Sequence, residues 1–320
     1  MAEVALNILG GVNRANWLLA HSKDYLERRV VVVRPKSQFS CARISNIWPG
    51  IGGKFRERTL AVLGVYSDES YDKRIFLVGG VIGLGKQIER LERTWEARIA
   101  RENKRLASQG RPSITRYHAA ELNALDGEFE GWSATESKAF SKALLRLLRK
   151  RGIYGVAYGV ILKDIRIVFP EFIKTHNDAQ DGAYQFATWK CLEFVHDQFG
   201  RHIPPEIRRT DGISFVYERS RFARFAHAAY DMIRDGPNYK YREAFNSIAE
   251  GGHESHIALQ AGDLIAYECF RELSRHVYRT SNPRRTFFKK MIRNSGVWVF
   301  IAYAGEKYLR ELKAGFGDIA

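Results

Sequence analysis

The chain has 320 residues, 45% of them hydrophobic and 27% charged, which is enough apolar matter for a packed core and argues against disorder. Lys and Arg outnumber Asp and Glu by 51 to 36, a formal charge of +15 that favours polyanionic partners, nucleic acid first and an anionic membrane surface second. Cys41, Cys191 and Cys269 form no Cys-x-x-Cys pair, which argues against a disulfide framework or a cysteine-built zinc site and fits a reducing cytoplasm.

Residues 1–58 carry ten Lys and Arg against four Asp and Glu, with little hydrophobic periodicity beyond the strand-like run Arg29-Val-Val-Val-Val-Arg34. They read as a basic N-terminal extension, partly disordered, ahead of a domain spanning 59–320. The first residues lack the basic start of a signal peptide, and no apolar run approaches the ~20 residues of a membrane span. Residues 297–304 are among the longest such runs. The expected location is therefore cytoplasmic, with no membrane partner.

Residues 60–66 and 75–82 are strand-length apolar runs, and the polar link between them predicts a hairpin. Ile88, Leu91, Trp95 and Ile99 recur at helical spacing. Ser133-x-x-Glu136 is a capping box that opens a helix bearing Phe140, Leu144, Leu147 and Leu148 on one face. Strands follow at 153–162, 212–217 and 244–248, and helices at 184–199, 222–233 and 257–276. An antiparallel start followed by strand–helix alternation implies an α/β protein with one mixed sheet flanked by helices.

Two motifs are near misses. Gly80-Val-Ile-Gly-Leu-Gly85-Lys86-Gln87 approaches a phosphate-binding loop, but Gln87 has no hydroxyl for Mg²⁺, so the glycines are read as relaxing the end of a strand. His253-Glu-Ser-His256 spaces its histidines three apart instead of four and follows Gly251-Gly252, which places it in a loop and argues against a zinc-protease helix.

Carboxylates at element ends carry more. Asp68 and Glu69 follow the first strand, and Glu218 ends the run Gly-Ile-Ser-Phe-Val-Tyr-Glu. Asp263 is the only charge in the apolar stretch 257–267, so if buried it needs a cation, a donor or an exit to water. Gln260 lies three residues before it on one helix face, with His256 and Tyr267 above and below. If the strand continues through residue 69, Glu69 points away from Asp68 and is the weaker candidate.

Three segments resemble the bacterial and archaeal domain-of-unknown-function family 3800. They are Ser67-Asp-Glu-Ser70 followed by Phe76-Leu-Val-Gly-Gly-Val81, Tyr117-His-Ala-Ala-Glu-Leu122, and Gln260-Ala-Gly-Asp-Leu-Ile-Ala266. The match spans about residues 59–273; Tyr71 and Gly262 stand where that family usually has glycine and alanine. The resemblance implies a ribonuclease H-like fold, with a five-stranded mixed sheet flanked by helices. By matched position it implies Asp68 and Asp263 as ligands of Mg²⁺ or Mn²⁺, two ions in such sites, with Glu218 and Glu121 as further ligand candidates, and these four acids as the catalytic set. His118, His256, Gln260 and Glu69 are supporting candidates.

The expected function is a metal-dependent nuclease or related phosphoryl-transfer enzyme, because paired divalent ions held by carboxylates activate water and stabilise the leaving oxygen. The alternative is a non-catalytic nucleic-acid-binding or defence-system component that keeps the fold; another hydrolase is a third reading. Arg284, Arg285, Lys289 and Lys290, interleaved with Phe287 and Phe288, are candidate nucleic-acid contacts. Arg219, Arg221 and Arg224 show a similar pattern, in which Phe222 and Phe225 are read as core residues.

Overall fold

The predicted hairpin forms the middle of the sheet. A computed structural model describes residues 31–33, 63–176, 178–198, 212–235, 242–278 and 299–316. β1 is Val31–Val33, β2 is Leu63–Tyr71 and β3 is Ile75–Leu84. β2 and β3 pair antiparallel from Leu63 opposite Leu84 to Tyr71 opposite Phe76. Asp72 closes the turn, its carboxylate accepting from the backbone N–H groups of Arg74 (2.8 Å) and Ile75 (2.9 Å). β2 therefore runs five residues past the expected end at Tyr66, and Asp68 and Glu69 lie inside it. Polar side chains did not end the strand, because the backbone ladder to β3 continues whatever the side chains are.

α1 (Gly85–Ala107) follows β3 directly. Gln87 Oε1 accepts from the Leu84 N–H at 2.8 Å, so this residue caps the helix where a phosphate-binding loop would hold an ion. α2 (Ala119–Ala124) and α3 (Ala134–Lys150) come next. α3 opens with the predicted capping box: Ser133 Oγ accepts from Glu136 N, and Glu136 Oε2 accepts from Ser133 N.

The chain continues through β4 (Tyr154–Ile161), the short α4 (Leu162–Val168) and α5 (Pro170–Lys174), then α6 (Ala179–Gln198). β5 (Ile213–Glu218), α7 (Ala223–Arg234), β6 (Phe245–Gly251) and α8 (Ile257–Tyr278) follow. β7 (Val299–Ala304) and α9 (Glu306–Phe316) close the described chain.

The sheet has seven strands in the order β1-β7-β4-β3-β2-β5-β6. The five strands expected from the sequence are its contiguous part from β4 to β6, with β2, β5 and β6 mutually parallel and β3 antiparallel to both its neighbours. The expectation of five strands is corrected by two more on the β4 edge. The apolar run at residues 297–304 supplies β7, parallel to β4, and Val31–Val33 of the extension pairs antiparallel with β7. The rest of that extension, and the proposed boundary near Thr59, lie outside the described residues.

Helices cover both faces. α4, α5, α6, α7 and α9 pack with Val65, Phe76, Val78 and Phe215 in one layer; α1, α2, α3 and α8 pack with Leu77, Val81, Ala157 and Ile301 in the other. α8 lies close against β2 and β3. A Cβ at Gly79 would stand 2.8 Å from Ala266 Cα, and one at Gly262 would stand 2.8 Å from the Tyr66 carbonyl oxygen. Gly262, an oddity against the resemblance, is thus the residue that lets this helix lie against β2 next to Asp263. Among the described residues no helix is long and apolar enough to cross a membrane.

Candidate metal centre

Alternation along β2 sends Asp68 to the α8 face. Val216 packs against the α8 side near Gly251, and Glu218, two residues on, follows it to that face. β5 is parallel to β2 with Ser67 opposite Tyr217, so Asp68 and Glu218 come side by side where the pairing of the two strands ends. Glu218 in turn lies opposite Gly251, the last residue of β6. His253 follows in the turn from β6 into α8, which is closed by hydrogen bonds from the N–H groups of Ser255 and His256 to the Gly252 carbonyl. The site therefore lies at the carboxyl ends of three parallel strands, where open α/β sheets place their ligands.

One donor atom from each of Asp68, Glu218 and His253 lies within 4.8 Å of the others. A single ion spans such a spread, since opposed donors are about 4 Å apart around Mg²⁺ and about 5 Å around Ca²⁺. Asp68 is 6% exposed and His253 3% exposed. His253 Nε2 touches Glu218 Oε1, yet neither ring nitrogen has a hydrogen-bond partner of good geometry. Burial works to lower the His253 pKa, but the Glu218 carboxylate raises it on balance, so the two form an ion pair whose proton a cation would replace.

The electrostatics agree. Burial drives the Asp68 carboxyl well above the usual range, and its hydrogen bond with Glu218 and the nearby Asp263, Glu69 and Glu218 charges push the same way. Burial also works to raise Glu218, but the His253 imidazole and the Asp68 carboxyl beside it hold it at about 2. Asp68 and Glu218 are thus pushed in opposite directions as one acid pair, and a divalent cation would displace the proton they share.

Asp263, 4% exposed, reaches the same face of the sheet from α8. Burial raises it to about 6; the Ala119 N–H, His118 and His253 oppose the rise and Glu218 adds to it. Its Oδ2 accepts the Ala119 N–H at 2.7 Å, so the donor that a buried Asp here required is the first backbone amide of α2.

Gln260, one helical turn earlier, completes a bracket. Its Oε1 accepts from the Tyr117 N–H at 2.8 Å and from Trp95 Nε1 at 3.0 Å, and its Nε2 donates to the His253 carbonyl at 3.2 Å. Gln260 and Asp263, three apart on the helix, thereby hold the amides of Tyr117 and Ala119 at the entry to α2, and Gln260 also ties down the loop that carries His253.

The remaining candidates divide. Glu121 is not among the donors grouped within 4.8 Å. Its Oε1 faces Arg116 at 3.3 Å and His118 Nδ1 at 3.0 Å. The His118 side chain is 33% exposed, and its charge is felt by both Glu218 and Asp263, which places it at the rim of the cluster. His256 is turned elsewhere: its Nδ1 pairs with Ser255 Oγ at 2.9 Å and its ring lies 6.3 Å from that of Tyr66.

Glu69 faces the opposite layer. Burial lifts it to about 7, against a hydrogen bond from Ser220 and the charge of Arg221, while Glu218 reinforces the rise. Phe222 and Phe225 are buried as expected, and Arg221 and Arg224 lie over their rings, each 4.5 Å from the centroid. These two aromatics are not available to stack on bases. Arg284, Arg285, Lys289 and Lys290 lie outside the described residues.

His253 is the site residue the sequence did not single out. Its signal is the His253–His256 segment after a Gly-Gly pair, whose three-residue spacing excludes a two-histidine helix but says nothing of a single ligand from the loop. The actual partners, Asp68 and Glu218, come from distant strands. No protein-family model matches the chain, and no curated protein matches it either.

Proposed function

We propose that this chain is a metal-dependent phosphodiester hydrolase acting on nucleic acid. The observation that carries the reading is the buried group of Asp68, Glu218 and His253 at the carboxyl end of the sheet, with Asp263 beside it. Oxygen-rich donors with one imidazole suit Mg²⁺ or Mn²⁺. When bound, such an ion lowers the pKa of a water molecule and offsets charge on the phosphate oxygens.

The chain's own residues have distinct parts. Asp68, Glu218 and His253 hold the cation, and Asp263 adds negative charge to the site while anchoring α2. His118, accessible at the rim and backed by Glu121, is the group placed to hand a proton to a leaving oxygen. Arg116, beside Glu121, offers a positive charge for an adjacent phosphate. The formal charge of +15 favours a polyanionic substrate. The resemblance to ribonuclease H-like folds, in which the first strand and the last helix carry acids, supports the same reading.

The test uses the full chain with labelled single- and double-stranded DNA and RNA, with and without Mg²⁺ or Mn²⁺. Metal-dependent cleavage by the wild type that is lost in Asp68→Asn is the expected result. Tight binding to these polymers with no cleavage under any metal condition would replace the enzyme by a non-catalytic binding protein.

A further inference from the structure

We propose that His253 makes the metal centre selective for a first-row transition ion such as Mn²⁺ over Mg²⁺. The inference rests on the reading above that Asp68, Glu218 and His253 hold a divalent cation, and it names which one.

The imidazole is built in. His253 is 3% exposed, neither of its ring nitrogens has a hydrogen-bond partner of good geometry, and Nε2 touches Glu218 Oε1 within the donor group. With Nδ1 unpartnered and Nε2 set against a carboxylate of the donor group, the ring sits where a bound cation would complete it. Its backbone is fixed from two sides: Gln260 Nε2 donates to the His253 carbonyl at 3.2 Å, and the Arg219 N–H donates to the Gly251 carbonyl at 2.9 Å. The ring therefore does not depend on metal to reach the cluster.

Donor chemistry then decides the ion. Mg²⁺ is hard, takes oxygen ligands and keeps several of its waters, so a nitrogen donor adds little to its binding. Mn²⁺ and the ions after it gain from imidazole, in the order of rising affinity along the first row. Two carboxylates and one imidazole thus favour first-row transition ions over Mg²⁺.

Calorimetric titration of the chelator-stripped full chain with MnCl₂ and with MgCl₂ tests this without reference to activity. The wild type should bind Mn²⁺ at least about tenfold more tightly than Mg²⁺, and His253→Ala should lose about 10–100-fold of Mn²⁺ affinity while changing Mg²⁺ affinity far less. Pulsed electron paramagnetic resonance of the Mn²⁺ complex should show a directly bound nitrogen that disappears in the variant. His253→Gln, which keeps bulk and offers oxygen, should stay folded by circular dichroism and move the preference toward Mg²⁺, which guards against a variant that merely unfolds. Equal wild-type affinities, or a Mn²⁺ complex with no nitrogen signal, would overturn the selectivity while leaving a metal-dependent hydrolase intact. Absence of any divalent binding would overturn both readings.

Discussion

Asp68 and Glu69 are neighbours in sequence and opposites in environment. Asp68 turns toward α8 and meets Glu218, His253 and the field of Asp263. Glu69 turns toward α6 and α7, where Tyr184 stacks on Phe222 with centroids 5.0 Å apart, and where Ser220 and Arg221 are its polar company. Burial raises both carboxyls. Only on the α8 side do further donors converge, because only there do two strand ends, a loop and a helix bring polar groups to one point. Among the described residues, no group of donors gathers around Glu69 as one does around Asp68.

The sharpest way to break this contrast is to remove the charge on each side in turn. Asp68→Asn should lower phosphodiester cleavage by at least about 10³-fold and weaken Mn²⁺ binding, with little change in metal-free stability because the amide still donates to Glu218. Glu69→Gln should leave cleavage within a few-fold of the wild type. Equal losses in steady-state assays would show that both faces serve the chemistry.

A second experiment addresses the bracket that holds the site together. Gln260→Ala strands the buried Tyr117 N–H and Trp95 Nε1 and frees the His253 carbonyl. The expected cost is about 2–4 kcal/mol in urea unfolding, accompanied by weaker metal binding. A loss of stability with metal affinity unchanged would show that Gln260 supports the core but not the site.

Glu69 offers a pH signature of its own. Its folded value of about 7 lies above the ordinary 4.5, so the native state binds the extra proton between these values. Stability from this group is complete below about pH 4.5 and is lost as pH rises through about 7. Relative to the wild type, Glu69→Gln should therefore gain about 2–3 kcal/mol between pH 5 and pH 8, read from paired denaturation curves. A constant difference across that range would mean that Glu69 titrates normally.

The smallest expected effect concerns the contact of α8 with β2. Gly262→Ala places a methyl 2.8 Å from the Tyr66 carbonyl oxygen, and the backbone on both sides must shift. A cost of about 1–3 kcal/mol is expected, with a modest fall in Mn²⁺ affinity as Asp263 moves away from Asp68. Thermal melts with and without Mn²⁺ separate the two parts of this effect.

Hydropathy and turn chemistry were sufficient for the central hairpin, the strands at β4 to β6 and the longer helices α1, α3, α6, α7 and α8. The Ser133–Glu136 capping box, the helical stripe from Ile88 to Ile99 and the hairpin strands are all local signals, and local signals survive folding when packing agrees with them. The period of two along β2 likewise separated Asp68 from Glu69, and the lone Asp263 in an apolar helix announced that it needed a partner. Tertiary structure alone decided who the partners were. Ala119 answers Asp263 across 144 positions, Tyr117 answers Gln260 across 143, and His253 joins Asp68 and Glu218 only because β5 and β6 lie parallel to β2. Tertiary pairing also carried β2 on to Tyr71 and added β7 and Val31–Val33 to the sheet edge. A sequence records which groups are unsatisfied within their own element, whereas the identity of a distant hydrogen-bond or metal-binding partner depends on how whole elements pack, which no local pattern encodes.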